Sequence, residues 1–155
     1  MAYLEAIDGY VEQLLENNII ELSAGPWLSN IVVVKGKNGR LRLCVYYRAV
    51  NTSTYYDSYP LPNIEAMFDA LSGSSWYCTL NLRAEYHNVP AALKDKDKTQ
   101  FVTRRNTWRW KLMPFGLSTA PGTFQRPMDS TICGLTYDSV LVYLEDLIIL
   151  ADSFD

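Results

Sequence analysis

The sequence predicts an α+β fold with a predominantly antiparallel sheet, and three observations support this prediction. Apolar residues recur at helical spacing near the N-terminus, an Asn-Gly pair separates two β-prone runs, and two further apolar runs lie close together near the C-terminus. Helices mixed with antiparallel hairpins are typical of α+β domains. With 155 residues the chain has the length of one globular domain, and its aromatic fraction of 13% excludes intrinsic disorder.

The first half of the chain predicts a helix, a hairpin and a second helix. Apolar residues three and four apart predict a helix over about 3–18, although a glycine within it lowers its propensity. The β-branched run 31–34 and the alternating run 41–47 flank a Lys-Asn-Gly turn, which indicates a β-hairpin. Turn-rich residues follow, and then an asparagine is placed to cap a short helix over 63–71.

The second half predicts strands around one further helix. The expected elements are a strand at 76–82, a hairpin of 99–103 with 108–112 turning at 105–106, a helix over about 121–134, and strands at 140–143 and 147–150 separated by three residues. Pro127 falls inside the expected helix and should kink or shorten it, because proline lacks the amide proton. Trp108 and Trp110 alternate on one strand, which favours cross-strand packing over base stacking.

Charge is distributed unevenly along the chain. The formal net charge is −3, but residues 1–34 carry five acids and no bases, and residues 127–155 carry six acids and no bases. Residues 35–126 hold all 14 lysines and arginines with six acids, a local charge of +8. A basic middle segment leaves room for a surface that binds phosphate groups.

The cysteine spacing and the length of the apolar runs bear on where in the cell the protein is found. Cys44, Cys78 and Cys133 form no Cys-x-x-Cys pair, so we expect buried free thiols rather than a disulfide framework or a zinc knuckle. No apolar run reaches the roughly 18 residues of a membrane span, and the N-terminus lacks the basic start of a signal peptide. These features predict an intracellular protein, cytoplasmic or nuclear, with no membrane partner.

Chemistry-bearing residues gather at the last hairpin. Glu145 and Asp146 lie at its tip, and two adjacent carboxylates are costly to hold together unless cations neutralise them. A strand ending at Asn81 can bring a third oxygen ligand beside them. Such oxygen clusters hold the two Mg²⁺ ions of phosphoryl transfer. Taken by itself, a Glu-Asp pair is more typical of an ordinary solvated turn than of a metal site.

Five blocks, in order along nearly the whole chain, resemble the reverse transcriptase (RNA-directed DNA polymerase) of gypsy-type LTR retrotransposons. The blocks are VEQLLENNIIE, PWLSNIVVVKGKNGRLRLCVYYRAVN, DSYPLPNIEAMFDALSGSSWYCTLNLRAEYHNVP, KTQFVTRRNTWRWKLMPFGLSTAPGTFQRPMD and VLVYLEDLIIL. The resemblance implies a right-hand polymerase with fingers at about 1–75 and 90–118, and a partial palm at about 76–89 and 119–155. The thumb, connection and RNase H domains are expected to be absent.

The same resemblance implies roles for individual residues. Asn81 falls on the first metal-binding aspartate, and Glu145 and Asp146 fall on the carboxylate pair of the YxDD hairpin. The implied nucleotide-binding residues are Lys35, Arg42, Tyr86 and Phe115. The nucleic-acid-binding residues that we expect are Lys37 of the fingers turn together with Arg104, Arg105 and Arg109 of a basic hairpin.

The sequence departs from the family pattern at positions that the resemblance assigns to catalysis and nucleotide binding. Asn81 is neutral where the family has a carboxylate, and Glu145 is one methylene longer than aspartate. Gly36 replaces a lysine that contacts the triphosphate in relatives, Tyr46 replaces an aspartate, and Glu85 replaces a glycine. Mg²⁺ tolerates little change in ligand geometry, so we expect its binding to be weak or lost. The departures together predict a catalytically inactive domain.

Two functions remain open on the sequence. The first is a retroelement-derived pseudoenzyme, of the kind that arises from a domesticated transposable element, which binds nucleic acid weakly or binds a protein partner. Self-association through the sheet edge left by the missing palm is one form of that partner contact. The alternative is a weak or partner-completed RNA- or DNA-templated DNA polymerase that uses two metal ions.

Overall fold

The computed structural model describes residues 2–36 and 41–154 and has the mixed helical and antiparallel architecture that the sequence predicts. The helices are α1 (Ala2–Glu16), α2 (Arg48–Thr52), α3 (Ile64–Leu71) and α4 (Ala120–Thr131). The strands are β1 (Ile20–Leu22), β2 (Ile31–Lys35), β3 (Leu41–Val45), β4 (Trp76–Asn81), β5 (Phe101–Val102), β6 (Thr107–Trp110), β7 (Val140–Tyr143) and β8 (Asp146–Ala151). Two 3₁₀ helices cover Glu85–Asn88 and Lys96–Thr99.

The chain divides into two compact units. The first unit comprises Met1–Tyr55 and Tyr86–Ala120, and the second unit comprises Tyr56–Glu85 and Pro121–Asp155. This division assigns residues 56–75 to the second unit, whereas the predicted fingers include them. The assignment of fingers and palm therefore stays a prediction.

The first unit packs α1 and α2 against a three-stranded sheet and the β2–β3 hairpin. Strand β6 lies between β1 and β5, and all three pair antiparallel. The side chains of Trp108 and Trp110 are 6% and 4% exposed, so both lie in the core, as cross-strand packing predicts. Their buried neighbours are Val11, Leu14, Ile20, Tyr47, Val50 and Phe101.

Two local details of the first unit differ from the prediction. The turn between β5 and β6 lies at Arg104 and Arg105, one residue earlier than expected, because the Thr103 amide donates to the Asn106 carbonyl at 2.9 Å and pairs those two residues. Strand β1 and helix α2 were not predicted, since their three and five residues are too short to show a period.

The second unit is built on an antiparallel sheet in which β8 lies between β4 and β7. Asn63 caps α3 as predicted, because its side chain accepts a hydrogen bond from the Glu65 amide at 2.9 Å. Helix α4 continues through Pro127 and ends at Thr131, earlier than the predicted end near 134. The core of the second unit contains Met67, Leu141 and Leu150.

The last hairpin is tighter than the sequence suggests. Tyr143 pairs with Asp146, so its turn contains two residues, Leu144 and Glu145, instead of three. Leu144 has a φ of 55°, in the left-handed region. Asp146 is therefore the first residue of β8 rather than part of the turn, which fixes its position along the strand.

The expected burial of the cysteines is wrong. Cys44, Cys78 and Cys133 are free thiols, but all three are exposed: Cys44 lies on the more exposed face of β3, and Cys78 lies in β4, all of whose residues are exposed. None of the helices in the described ranges is long and apolar enough to cross a membrane.

Candidate functional site

Antiparallel pairing brings Asn81 and Asp146 together at the end of the second unit's sheet. The register places them directly opposite each other on β4 and β8. The Asn81 Nδ2 donates a hydrogen bond of 2.8 Å to Asp146 Oδ1. A carboxylate can only accept, so the nitrogen end of the amide is the end that faces it. The first and last of the three implied catalytic residues therefore meet through a hydrogen bond.

Glu145 reaches the same region through its backbone. The Leu82 amide donates to the Glu145 carbonyl at 2.8 Å, which joins the end of β4 to the turn. Glu145 directly precedes Asp146 in the chain. Among the described residues, no group of three His, Cys, Asp or Glu side chains is placed to hold a metal ion. Two carboxylates and an amide that donates its proton do not fit the anionic oxygen set that Mg²⁺ prefers.

A buried glutamine, which the sequence reading missed, fixes the turn of this hairpin. Gln125 on α4 is 0% exposed. Its Oε1 accepts a hydrogen bond from the Leu144 amide at 3.1 Å, and its Nε2 donates to Asp129 Oδ1 at 2.8 Å. The buried side chain thus connects the turn to the middle of a helix.

The same chain of hydrogen bonds continues to the loop before α3. Tyr59 Oη donates to Asp129 Oδ2 at 2.7 Å, and this bond raises the pKa of the Tyr59 hydroxyl. Arg126 lies over the Tyr59 ring at 4.8 Å and pairs with Asp57 at 2.8 Å. We call Tyr59, Asp129 and Gln125 the turn relay. No short motif marks it, because Tyr59 lies 66 residues before Gln125 and 70 residues before Asp129, and the three meet only in the fold.

Three of the four implied nucleotide-binding residues lie together in the first unit. Arg42 and Phe115 line a cavity of about 380 Å³ beside β3. Tyr86 packs against Phe115 with ring centroids 4.9 Å apart and is itself 8% exposed. Lys35 does not join them: it pairs with Leu41, the neighbour of Arg42. Successive strand residues point to opposite faces, so Lys35 and Arg42 project from opposite faces of the hairpin.

Asn51, another residue that the sequence reading missed, holds the loop that carries Phe115. Its Nδ2 donates to the Gly116 carbonyl at 2.9 Å, and its Oδ1 accepts from the Ser118 amide at 3.0 Å. Both ends of the side-chain amide are therefore used. An asparagine at the end of a short helix carries no signal of this role in sequence, because its partners lie more than 60 residues away.

His87 lies beneath the same loop. Its ring is 5.2 Å from the rings of both Trp110 and Phe115, and its buried Nε2 has no hydrogen-bond partner among the described residues. Burial lowers the pKa of His87, so the imidazole is neutral at physiological pH. The histidine therefore packs as an aromatic side chain and adds no positive charge.

The basic hairpin between β5 and β6 is neutralised by carboxylates of the first unit. Arg104 and Arg105 both pair with Asp8 of α1, the latter at 2.9 Å, and Arg105 also lies 3.5 Å from Glu12. The hydrogen bond from Arg104 lowers the pKa of the Asp8 carboxyl, although burial opposes the change. The acidic N-terminal segment thus lies against the basic hairpin.

Arg109 is held in the same way. Its guanidinium pairs with Glu21 at 2.9 Å and with Asp97 at 2.6 Å. The hydrogen bond to Asp97 and then that to Glu21 raise the pKa of Arg109. All three predicted arginines of the nucleic-acid surface therefore have carboxylate partners, whereas Lys37 lies outside the described residues. No described carboxylate forms an ion pair with Lys35 or Arg42.

These positions correspond to a known sequence family. A model of the family described as reverse transcriptase (RNA-dependent DNA polymerase) matches residues 33–155. The chain belongs to the reverse transcriptase family. An RNA-directed DNA polymerase homolog from Oenothera berteroana is 38% identical over 109 residues, which cover 70% of this chain and 77% of that protein.

Transposon polyproteins carry similar reverse transcriptase sequences. The Pol polyprotein of transposon gypsy from Drosophila melanogaster is 31% identical over 99% of this chain, and that of transposon 412 is 30% identical over 97%. These relatives confirm the predicted resemblance to gypsy-type elements. The chain spans only 15% and 13% of their respective lengths.

Solved structures confirm the reverse transcriptase fold. The prototype foamy virus protease-reverse transcriptase superposes with a TM-score of 0.84 at 19% identity, over 99% of this chain and 20% of that protein. The foamy viral enzyme in complex with an RNA/DNA hybrid gives a TM-score of 0.85 at 16% identity, with the same coverage.

Proposed function

We propose that this reverse transcriptase domain binds nucleic acid or a protein partner and does not carry out templated DNA synthesis. The observation that carries the proposal is the hydrogen bond from Asn81 to Asp146. It places a proton donor where family members are expected to share a cation between carboxylates. An amide that donates to the remaining aspartate removes both a negative charge and an open coordination position, so Mg²⁺ binding is weak or lost.

Nucleic-acid binding draws support from relatives and from the unpaired cations. The foamy viral enzyme has been solved with an RNA/DNA hybrid and with double-stranded DNA. In this chain Arg104, Arg105 and Arg109 are occupied by carboxylates, so we assign the first contacts to the β2–β3 hairpin. Lys35 and Arg42 lie there, on opposite faces near the hairpin's tip, and Lys37 belongs to its turn by sequence. The paired arginines add contacts only where phosphates displace their carboxylate partners.

Salt dependence tests this assignment. Each neutralised phosphate contributes a slope of about −0.7 to −0.9 to a plot of log affinity against log salt concentration, so three contacts predict about −2 to −3. Fluorescence anisotropy with a labelled RNA/DNA hybrid, between about 50 and 200 mM KCl, measures that slope. The double variant Lys35→Glu with Arg42→Glu should flatten it.

Lys94→Glu is the matched control for each of the single variants Lys35→Glu and Arg42→Glu, because all three change the net charge equally. Lys94 is exposed in the first unit and no described carboxylate pairs with it, but it lies outside the hairpin. It should leave the slope nearly unchanged. Equal effects of the hairpin and control variants would show that only net charge matters, and absence of binding at ~50 mM salt would overturn the nucleic-acid proposal.

Primer extension tests the absence of synthesis. We expect no templated incorporation on RNA or DNA template with Mg²⁺ or Mn²⁺ above the background of Asp146→Ala. Incorporation by the unmodified chain that disappears in Asp146→Ala would instead establish a polymerase.

A protein partner is the other form of binding module. Strand β4 lies at an edge of the second unit's described sheet, and all six of its residues are exposed. Trp76 and Leu80 are 50% and 49% exposed and share one face of that strand. Unpaired edge strands with apolar side chains favour pairing with another chain. Sedimentation at increasing protein concentration should detect self-association, and Leu80→Lys should abolish it.

One observation favours the alternative function, a weak or partner-completed polymerase. Arg42 and Phe115 share a cavity of about 380 Å³, and Tyr86 supports Phe115 from below. A retained nucleotide pocket would bind deoxynucleoside triphosphate even without catalysis. Primer extension separates the two functions, because triphosphate binding measured by calorimetry is compatible with both, whereas extension requires the carboxylates.

The cellular compartment follows from the proposed role. A module that meets nucleic acid or a nucleic-acid-associated partner acts in the cytoplasm or the nucleus. Fluorescent tagging in cells checks this location.

A further inference from the structure

We infer that the Asn81 amide takes the place of a divalent cation at the end of the β4–β8 pair, and that Asn81→Asp alone converts this end into a divalent-cation site. The inference rests on the proposed function, since both start from the hydrogen bond of Asn81 with Asp146, and it deepens that function by stating what the amide replaces. It concerns what holds this end of the sheet together.

The argument begins with register. Asn81 and Asp146 are directly opposite in an antiparallel pair, where side chains on one face approach within about 5 Å. Two carboxylates at these positions would repel, and each would favour protonation of the other. With asparagine, the observed contact is instead a hydrogen bond of 2.8 Å to a charged acceptor, a favourable class of interaction. The sheet end is therefore satisfied without metal.

The surrounding backbone keeps the two side chains in place. On one side, the Leu82 amide donates to the Glu145 carbonyl at 2.8 Å. On the other, Gln125 accepts from the Leu144 amide at 3.1 Å. Because β4, the turn and β8 are all tied by hydrogen bonds, an aspartate at position 81 would be held beside Asp146. Two opposed carboxylates would then supply the kind of anionic oxygen ligands that Mg²⁺ or Mn²⁺ prefers.

Thermal unfolding in chelator and in manganese tests the inference. In 1 mM EDTA, Asn81→Asp should lower the Tm by about 2–4 °C, since it places like charges opposite each other. At ~5 mM MnCl₂ the variant should gain about 3 °C or more, because a ligand at roughly ten times its Kd stabilises the folded state measurably. The unmodified chain should change by less than about 1 °C between the two conditions.

Two matched variants separate charge from hydrogen bonding. Asn81→Leu removes the hydrogen bond without adding charge and should show no manganese response. Asn81→Asp combined with Asp146→Asn restores an amide opposite a carboxylate in the reverse order, and should recover the metal-independent Tm. An Asn81→Asp variant without a manganese response, or equal manganese stabilisation of the unmodified chain, overturns the inference.

A measurement on the unmodified chain keeps the inference testable if Asn81→Asp does not fold. In NMR spectra, Mn²⁺ at ~50 μM should not broaden the Asn81 side-chain amide or the backbone amides of Glu145 and Asp146 more than the average. Selective broadening there would show that the chain already binds the cation, and would contradict the amide's role. Neither readout uses nucleic acid or nucleotide, so failure here is distinguishable from failure of the proposed function.

Discussion

The two units rely on ion pairs to different degrees: of the eight ion-pair contacts among the described residues, seven lie in the first unit and one, between Arg126 and Asp57, lies in the second. In the first unit, carboxylates of the N-terminal segment pair with arginines of the β5–β6 hairpin, as Asp8 does with Arg104 and Arg105. In the second unit, side-chain amides make the decisive contacts, from Asn81 to Asp146 and from Gln125 to Leu144 and Asp129. An ion pair has two charged groups and weakens as salt screens them, whereas a side-chain amide is neutral and depends less on salt. The units should therefore fail under different conditions.

The largest expected difference between the units is in how much stability each loses when a tryptophan is truncated. Trp110 of the first unit is 4% exposed, whereas Trp76 of the second is 50% exposed. Trp110→Ala should lower the free energy of unfolding by about 3–5 kcal/mol, because it leaves a cavity in the aromatic core. Trp76→Ala should lower it by about 1 kcal/mol or less. Urea denaturation measures both, and similar losses would contradict the placement of the first unit's core.

The turn relay of the second unit should have the next largest effect. Gln125→Leu leaves the Leu144 amide without its acceptor and should lower the free energy of unfolding by about 1–3 kcal/mol. Hydrogen exchange of the Leu144 amide should accelerate in the same variant. Tyr59→Phe is the control, since it removes only the distant bond to Asp129 and should leave Leu144 exchange nearly unchanged. Unaltered Leu144 exchange in Gln125→Leu would show that the glutamine does not fix the turn.

Lowering the pH should reduce the stability of the first unit more than that of the second. The hydrogen bond from Arg104 lowers the pKa of Asp8 from its ordinary 3.8. Since the folded state binds this proton less tightly than the unfolded state, the contribution is present above the unfolded pKa and is lost as pH falls through the lower folded value. Stability against urea, measured between about pH 5 and pH 2.5, should decline in part through Asp8. Asp8→Asn should flatten that decline, and the exposed Glu12→Gln should flatten it less.

The smallest effect is expected on nucleic-acid binding. Asp8→Asn releases Arg104 and Arg105 from their shared carboxylate partner. If phosphates then occupy one or both arginines, the salt slope should steepen by about 0.7 to 0.9 for each new contact. Anisotropy titrations over the same salt range compare the variant with Asp57→Asn, which releases Arg126 in the second unit. A slope that Asp8→Asn leaves unchanged would remove the β5–β6 hairpin from the proposed surface.

Much of the fold could be predicted because its signals are local. The α1 period, the Asn63 cap and the strands of the β2–β3 hairpin each lie within about 15 consecutive residues. The predicted position of the β5–β6 turn was wrong by one residue. Thr103 and Asn106 close the turn by pairing with each other, and the residue types at 104–106 do not indicate that pairing. The predicted burial of the cysteines was wrong because exposure depends on what packs over a residue: all six residues of β4, Cys78 among them, are exposed.

The candidate site was predictable in its backbone and not in its hydrogen bonds. The pairing of strand ends followed from the position of Asn81 and of the last hairpin along the chain. The direction of the Asn81 amide depends on which atom faces Asp146, and the roles of Gln125 and Asn51 depend on partners that are distant in sequence. The ion pairs of the basic hairpin were missed for the same reason, since charge counted by segment does not show which segments touch.

The exposed thiols make the chain sensitive to its redox surroundings. Cys44, Cys78 and Cys133 lie at the surface without disulfide partners, so oxidants can reach each sulfur. Cys78 lies in the middle of β4, an edge strand, where a disulfide between two copies would join their sheets covalently. In air, the protein should therefore accumulate covalent dimers that a reducing agent dissolves, and a Cys78→Ser variant should accumulate fewer of them.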